Sequence, residues 1–367
     1  MKFLLISPKN RTVYNFRGDL VKELIRLGYE VIVTGPDGTD AERIIELGVR
    51  FIKIPMNKNG TSIIGDLRYC FQLFSFMKKE KPDVSLGYTV KPVVYGAIAA
   101  HFAGVRNINS MVTGGGYTFT AASLKAKILG LIVRCLYRIG LGYADHVIFQ
   151  NPDDLNEFCA RGLVKKDKCS AVNGSGVNVG HYTEAPFPRE ITFFMLSRLL
   201  KSKGVQEYLE AADMVKEKYP QARFCLLGKY ETAMQDAVPR EQIEAYMKRG
   251  TVERFEETHD VRPYYAMCSV YVLPSYREGT PRTVLEAMSM GRPIITTDTQ
   301  GCRETVVDGE NGFLVPVKDS KALAEKMIGF IENPDLIESM GKKSREYALR
   351  KFDVNQVNSD MLKIMRL

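Results

Sequence analysis

Short apolar runs alternate with segments of helical periodicity along almost the whole chain, and this alternation constrains the fold more than any other feature. Lys2 to Ser7, Tyr29 to Thr34, Val49 to Ile54, Asp83 to Leu86, Asn107 to Val112 and His146 to Gln150 read as buried strands. Between them the periodicity predicts helices over 17–27, 40–47, 63–79, 92–102 and about 122–140. Such a chain builds a parallel sheet, because each strand must be returned to the same edge by a crossover helix. Ligands of such sheets gather at the carboxyl ends of the strands. A second winding starts at Ile191 to Ser197 and continues through Phe224 to Gly228, Val252 to Phe255 and Val270 to Leu273. The turn-rich segment 173–178 and the proline-bearing segment 184–188 mark the boundary between the two windings. Helices follow from Asp319 to about Arg350. The last segment, Val354 to Leu367, carries an apolar side of Val357, Met361, Leu362, Ile364 and Met365.

The strand Val270 to Leu273, closed by Pro274 and Ser275, leads into the most informative stretch, Tyr276 to Pro293. Thr280 is placed to cap a helix, Pro281 to take its first position and Gly291 to follow its last turn, and Pro293 bars continuation. Glu278 then lies in the loop before the helix and Glu286 about a turn and a half inside it. Two carboxylates so placed reach different parts of one ligand. The amides of Arg282, Thr283 and Val284 open the helix with no acceptor one turn back, so that end favours an anion, most naturally a phosphate. Upstream, Arg198 and Lys203 follow the strand at 191–197, and Gly204 opens the next helix. Arginine grips two oxygens and lysine supplies a point charge, a pair suited to a diphosphate. Taken alone, both features also fit a plain surface of solvated glutamates and cations.

Two glycine-bearing turns stand out in the amino-terminal half. Phe16-Arg17-Gly18-Asp19 reads as the turn between the first strand and the first helix, where a glycine allows close approach to a phosphate or simply makes a turn. Gly114-Gly115-Gly116-Tyr117 follows the strand at 107–112, and three glycines there point to a functional loop. In the helix beyond, Lys127, Arg134 and Arg138 share one face amid Ile128, Leu129, Leu131, Ile132, Val133 and Leu136. That pattern fits a helix lying on an anionic leaflet, or a core-packed helix with a solvated basic face.

Composition narrows the function classes. With 45% apolar and 26% charged residues, this 367-residue chain has core enough for about two domains. Seven cysteines without a Cys-x-x-Cys pair predict reduced cytoplasmic thiols rather than a disulfide framework or a zinc site. Met1 to Ile6 run straight into Ser7-Pro8-Lys9, which predicts no secretory leader, and no apolar run is long enough to span a bilayer. His101 falls inside a predicted helix, and His146, His181 and His259 lack the spacing of metal ligands. No Asp-x-Asp motif stands at a strand end, and Asp153-Asp154 reads as a helix start. The net charge of +8 is uneven: residues 1–180 hold 24 Lys and Arg against 15 Asp and Glu, the remainder 27 against 28. A basic half suits an anionic surface or ordinary solubility, and no nucleic-acid recognition motif accompanies it.

Glu278 to Glu286, with Gly279 and Pro281 between them, resembles the Glu-x7-Glu motif of family 4 retaining glycosyltransferases. The surroundings are similar too: Ser275-Tyr276, Glu286-Ala287-Met288, Gly291-Arg292-Pro293, Gly301-Cys302-Arg303-Glu304 and Asp308-Gly309-Glu310-Asn311-Gly312. Arg198, Lys203 and Gly204 match the family's Arg-x4-Lys-Gly pattern. The resemblance is strong over about 190–315, weaker before it, and closest to bacterial enzymes that extend polyprenyl-diphosphate-linked sugars, N-acetylgalactosaminyltransferases among them. It implies an α/β protein of GT-B fold, two doubly wound Rossmann-like domains facing across a cleft. Residues 1–180 would bind the acceptor and 181–350 the nucleotide sugar, with 351–367 crossing back to the first domain.

The resemblance also implies roles. Arg198 and Lys203 would stabilise the leaving diphosphate, Glu286 would hold the ribose hydroxyls and Glu278 would lie near the donor hexose. Gly18, Arg254, Gly279, Thr280, Arg282, Thr283 and Val284 would border the donor; Thr113, Gly114, Gly115, Gly116 and Tyr117 would border the acceptor sugar. Many members carry a histidine where Thr113 stands, so that histidine's role is not carried over. The implied reaction is metal-independent, cofactor-free transfer, with retention, of an N-acetylhexosamine from a UDP-sugar to a polyprenyl-diphosphate-linked saccharide, by an enzyme in the cytoplasm or peripheral on the cytoplasmic face of the inner membrane. A GT-B UDP-sugar epimerase, a transferase with a soluble acceptor and a non-catalytic sugar-nucleotide-binding subunit are the alternatives. The Glu-x7-Glu helix and the cation pair argue against the first and the last.

Overall fold

In the computed structural model, which describes residues 1–57, 60, 62–114, 124–231, 234 and 236–367, and the side chains of these except 124–129, the apolar runs form two parallel sheets. The chain divides into two compact units, 1–176 with 354–367, and 177–353.

In the first unit the described residues form β1 (Lys2–Ile6), α1 (Asn10–Phe16), α2 (Gly18–Arg26), β2 (Glu30–Gly35), α3 (Ala41–Ile45), β3 (Arg50–Lys53) and α4 (Ile63–Glu80). They continue with β4 (Val84–Tyr88), α5 (Ala97–Ala103), β5 (Asn107–Val112), α6 (Leu124–Tyr143), β6 (His146–Phe149), α7 (Pro152–Ala160) and β7 (Cys169–Ala171). The strands pair in parallel in the order β3-β2-β1-β4-β5-β6-β7. Both faces of the sheet are covered, which is why its strands read as unbroken apolar runs. In β1, Leu4 and Ile6 enter a core with Tyr69 of α4, Ala99 of α5, Tyr137 of α6 and Phe158 of α7. Phe3 and Leu5 face the other way, toward Val13 of α1, Leu20 of α2 and Ile44 of α3.

Two boundaries differ from the sequence reading. The helix predicted over 17–27 is preceded by α1, so Gly18 opens the second helix and does not follow the first strand directly. Arg17 (φ −127°, ψ −2°) breaks the two helices apart, and α1 escapes detection because it buries only Asn10 and Val13. The helix predicted over 92–102 is a π-helical turn, Pro92–Gly96, followed by α5. Asp153-Asp154 does start a helix, α7, capped by Asn151, whose side chain accepts from the Asp154 amide at 2.7 Å.

The second unit repeats the winding: β8 (Thr192–Leu196), α8 (Val205–Lys218), β9 (Arg223–Leu227), α9 (Arg240–Lys248), β10 (Glu253–Phe255), α10 (Arg262–Ala266) and β11 (Val270–Leu273). It ends with α11 (Arg282–Ser289), β12 (Ile294–Thr297), β13 (Gly312–Val315), α12 (Ser320–Glu332) and α13 (Asp335–Lys351). The order β10-β9-β8-β11-β12-β13 reverses at the β8–β11 pair, as in a dinucleotide-type doubly wound sheet. Buried Arg292 donates to the carbonyls of Tyr265 (2.9 Å), Pro186 (3.0 Å) and Ala266 (3.3 Å) and packs on the Phe187 ring. Arg345 donates to the carbonyls of Tyr182 (3.0 Å) and Val179 (3.2 Å). These two arginines anchor the segment through which the chain enters this unit. Arg292 therefore has a structural use within the Gly291-Arg292-Pro293 motif.

The chain ends in α14 (Val354–Met365), which packs in the first unit against α2 and β6. Its Val357, Met361, Leu362 and Met365 are buried there, each worth about 1.5–3 kcal/mol of apolar burial. Among the described residues no helix is long and apolar enough to cross a membrane.

Candidate active site

A doubly wound sheet takes its ligand outside the carboxyl ends of the strands where the order reverses. In the second unit those strands are β8 and β11; Arg198 follows the first and Glu278 follows the second. Arg198 is exposed. Lys203 ends a 3₁₀ turn, Lys201–Lys203, and Gly204 follows it at φ +73°. A Cβ on Gly204 would stand 2.1 Å from the Pro274 carbonyl oxygen, so only glycine lets this turn lie against the end of β11. The Ser202 carbonyl accepts from the Tyr276 amide (2.9 Å) and the Ser275 hydroxyl (3.2 Å), tying the two loops together. Lys203 Nζ thereby reaches Glu278 Oε1 in an ion pair whose side chains are both mostly buried.

The loop carrying Glu278 is also held from the loop that follows β12. The Glu278 amide donates to the Gln300 carbonyl (3.1 Å), and Gly301, at φ +77°, backs directly onto the Glu278 and Gly279 carbonyls. Cys302 is buried beside this loop, and burial first, then the Glu278 charge, pushes its thiol up to about 12.

The helix mouth differs in detail from the sequence reading. Pro281 stands at the N-cap and Arg282 is the first helical residue; the Thr280 hydroxyl donates to the Gly279 carbonyl (2.9 Å) and does not cap. Because the cap lies one residue later, the first turn closes tightly. The Val284 amide donates to the Pro281 carbonyl at 3.0 Å and is not an open donor, which corrects the expectation for Val284. Arg282 and Thr283 hold the first two helical positions, whose amides have no acceptor within the helix itself.

Glu286 is buried on α11, its carboxylate bonded by two side chains. Arg282 Nε donates to Oε1 (3.1 Å), and the Tyr265 hydroxyl is shared between Oε2 (3.1 Å) and the Thr283 carbonyl (2.9 Å). Tyr182 lies near this carboxylate, and burial followed by the Glu286 charge drives ionisation of Tyr182 and Tyr265 far upward. Both tyrosines therefore stay protonated donors, a supporting role that sequence reasoning missed.

Arg254 lies apart, on the edge strand β10, which pairs with β9 rather than with β8 or β11. Its Nε donates to the Gly228 carbonyl (3.2 Å), its Nη1 to Glu256 (2.8 Å), and its guanidinium lies 4.1 Å from the Tyr230 ring centroid. The arrangement brings Arg198, Lys203, Glu278, Gly279, Thr280, Arg282, Thr283 and Glu286 to one end of the β8–β11 pair.

In the first unit the order reverses between β1 and β4. There the Tyr88 hydroxyl bonds those of Ser7 (2.7 Å) and Thr12 (2.8 Å), and the Arg17 guanidinium lies 5.5 Å from the Tyr88 ring centroid. Gly18 begins α2 just beyond, where a Cβ would meet only the Leu47 side chain at 3.8 Å. Thr113 and Gly114 follow β5 and are half-buried; Gly115, Gly116 and Tyr117 lie outside the described residues. Among the described residues no group of three or more His, Cys, Asp or Glu side chains is placed to hold a metal.

Two family profiles match the chain: "Glycosyl transferase 4-like" over residues 2–151 and "Glycosyl transferases group 1" over residues 183–347. A relative from Campylobacter jejuni, N,N'-diacetylbacillosaminyl-diphospho-undecaprenol alpha-1,3-N-acetylgalactosaminyltransferase, is 26% identical over 99% of this chain and 98% of its own. The UDP-Gal:alpha-D-GlcNAc-diphosphoundecaprenol alpha-1,3-galactosyltransferase of Escherichia coli is 25% identical over 83% of this chain and 81% of its own. Among solved structures, HepE of Anabaena in complex with UDP and glucose matches with a TM-score of 0.83 at 19% identity, over 100% of this chain and 99% of that one. Doubly wound sheets in both units and family matches along both halves agree: the chain is a GT-B glycosyltransferase and belongs to the group 1, family 4-like enzymes.

Proposed function

We infer that this glycosyltransferase moves a sugar, an N-acetylhexosamine by its nearest pattern, from a UDP-sugar to a polyprenyl-diphosphate-linked saccharide, with retention of configuration. The second unit takes the nucleotide sugar, the first takes the acceptor, and the work is done at the cytoplasmic face of a membrane. The observation that carries the donor side is the gathering of Arg198, Lys203 and the amino end of α11 at the β8–β11 reversal. The names of the Campylobacter and Escherichia relatives, both acting on undecaprenol-diphosphate-linked sugars, support the acceptor class.

As the anomeric carbon becomes cationic, negative charge develops on the leaving diphosphate. Fixed positive potential at that point stabilises the transition state more than the ground state. Arg198 and Lys203 supply it as charges and α11 as aligned amides. Before the donor binds, Glu278 holds Lys203 in place. An arriving diphosphate competes for Lys203 and leaves Glu278 to the hexose. Glu286, oriented by Arg282 and Tyr265, accepts the ribose hydroxyls. The acceptor's proton passes to the leaving phosphate. These cations take the place that a divalent metal fills in metal-dependent transferases, and no cofactor is required.

The test is transfer and UDP release by the purified protein with a panel of UDP-sugars and a lipid-linked acceptor. Arg198→Ala and Lys203→Ala should each lower turnover by at least about tenfold, and up to a few hundredfold if about 3 kcal/mol of transition-state stabilisation is lost. Near-normal turnover in both variants overturns the assignment.

A further inference from the structure

Helix α4 leaves a row of large apolar side chains in water. Ile63, Ile64, Leu67 and Phe71 are 77%, 81%, 63% and 67% exposed, while Tyr69, Leu73 and Met77 of the same helix are buried in the core. Their spacing puts the four on one side of the helix. Single exposed leucines are ordinary, but a contiguous apolar row at one helix end marks an interaction surface. That end lies at the carboxyl edge of the sheet. Asp66, in the first turn of α4, is bound there by Lys91 and Tyr95, which follow β4. Thr113 and Gly114, after β5, lie at the same edge.

The exposed charges of this helix share one sign. Arg68, Lys78 and Lys79 are exposed on α4, whereas its two acids are engaged, Asp66 with Lys91 and Glu80 with Arg50 and Lys2. α5 packs against both α4 and α6, and this helical layer adds exposed Phe102, Leu131, Ile132 and Ile139 beside Arg138. No aspartate or glutamate stands between Asp83 and Asp145, an interval that contains Lys91, Arg106, Lys125, Lys127, Arg134 and Arg138. Apolar side chains bordered by cations, with no open acid among them, are complementary to anionic headgroups over acyl chains. A second copy of this chain fits poorly, because a two-fold contact would set Arg68 and its neighbours against their own kind.

We propose that the amino-terminal half of α4 is a docking surface for an anionic lipid bilayer, with Ile63, Ile64, Leu67 and Phe71 entering the headgroup layer. Arg68, beside Leu67, lies among the phosphates, and Lys78 and Lys79, about 10 Å beyond Phe71 along the helix, add to the attraction from a distance. The proposal rests on the lipid-linked acceptor reading for its purpose, but vesicle binding needs neither donor nor acceptor and is measured without them.

Sedimentation with phosphatidylglycerol-containing and pure phosphatidylcholine vesicles, at low and high salt, is the test. The protein should partition onto the anionic vesicles at low salt and leave them at high salt. Ile64→Glu with Leu67→Glu should reduce that partitioning at least about tenfold, since two inserted side chains are replaced by repelled ones. Leu27→Glu and Ile45→Glu, exposed apolar positions on the opposite helical layer, should leave it unchanged. Transfer to a detergent-dispersed, short-chain acceptor should survive Ile64→Glu with Leu67→Glu. No binding to anionic vesicles, or equal loss in the control variants, overturns the proposal. So does a dimer that the α4 variant dissolves, or loss of transfer in detergent, which would make this face part of the acceptor site. Vesicle binding by a protein that transfers no sugar would instead overturn the functional reading and leave this surface standing.

Discussion

Gly301→Ala tests whether the position of the loop carrying Glu278 sets turnover. Gly301 lies at φ +77°, and a Cβ there would stand 2.3 Å from the Glu278 carbonyl oxygen and 2.4 Å from that of Gly279. Ordinary contact begins at 3.4 Å, so the loop must retreat by about 1 Å. A left-handed alanine costs about 1–2 kcal/mol, and forcing the neighbours apart costs about 1–3 kcal/mol more. At about 2–4 °C per kcal/mol for a unit of this size, the melting temperature should fall by roughly 4–20 °C. A displacement of about 1 Å at a reacting group costs on the order of a hundredfold in rate. Gly309 supplies the control. Its φ is +79°, yet nothing lies within 4 Å of an added Cβ, so Gly309→Ala carries the backbone strain without the push. Thermal melts and kcat for sugar transfer, measured well below both transitions, separate the two. Gly309→Ala should melt a few degrees lower and keep its kcat, whereas Gly301→Ala should lose both, with UDP affinity little changed because Glu286 is held from α10 and α11. Equal kcat in the two variants would refute the link between loop position and turnover.

Glu286→Ala should weaken UDP in calorimetry by about tenfold or more, the cost of a lost charged hydrogen bond, while Glu278→Ala leaves UDP affinity nearly intact and damages transfer. Equal losses of UDP affinity would end that division of labour. Transfer should survive excess chelator, and an activity restored only by magnesium or manganese would contradict the role given to the cations. Burial pushes the Cys225 and Cys302 thiols up to about 12, from the ordinary value of 9.0. Above about pH 9 the unfolded chain therefore loses protons that the folded chain keeps, and stability falls as pH rises toward 12 by about 1.4 kcal/mol per unit per thiol. Replacing both cysteines with alanine should flatten that slope in denaturant titrations, and an unchanged slope would contradict it.

The two sheets were legible because both of their faces are covered, which turns each central strand into an apolar run. Val270–Leu273 and Asn107–Val112 match their predicted bounds. β7 was not legible, since Cys169–Ala171 is a three-residue edge strand with no fully buried side chain. Motif spacing marked Lys203 and Glu278, but not that they pair. They stand 75 residues apart and meet only because β8 and β11 are neighbours across the reversal. Tyr265 carries no signal in sequence for the same reason: the partner that makes its hydroxyl matter, Glu286, comes from another element. The Val284 amide turns on a single residue of cap position, which decides the donors that a helix end offers. The exposed row of α4 is not legible in sequence because apolar periodicity identifies a helix without saying which of its sides the core covers.

A mostly buried ion pair is a weak source of stability, because removing two charges from water offsets much of their attraction. Lys203 and Glu278 are therefore not what brings their loops together. That contact is made by backbone: Gly204 against Pro274, the Ser202 carbonyl against Tyr276 and Ser275, and Gly301 against the Glu278 and Gly279 carbonyls. With the loops docked by these contacts, the exchange of Glu278 for a diphosphate at Lys203 proposed above would leave the frame undisturbed. A site that must stabilise charge only as it develops gains from that separation, since its cations stay in place while their partners change.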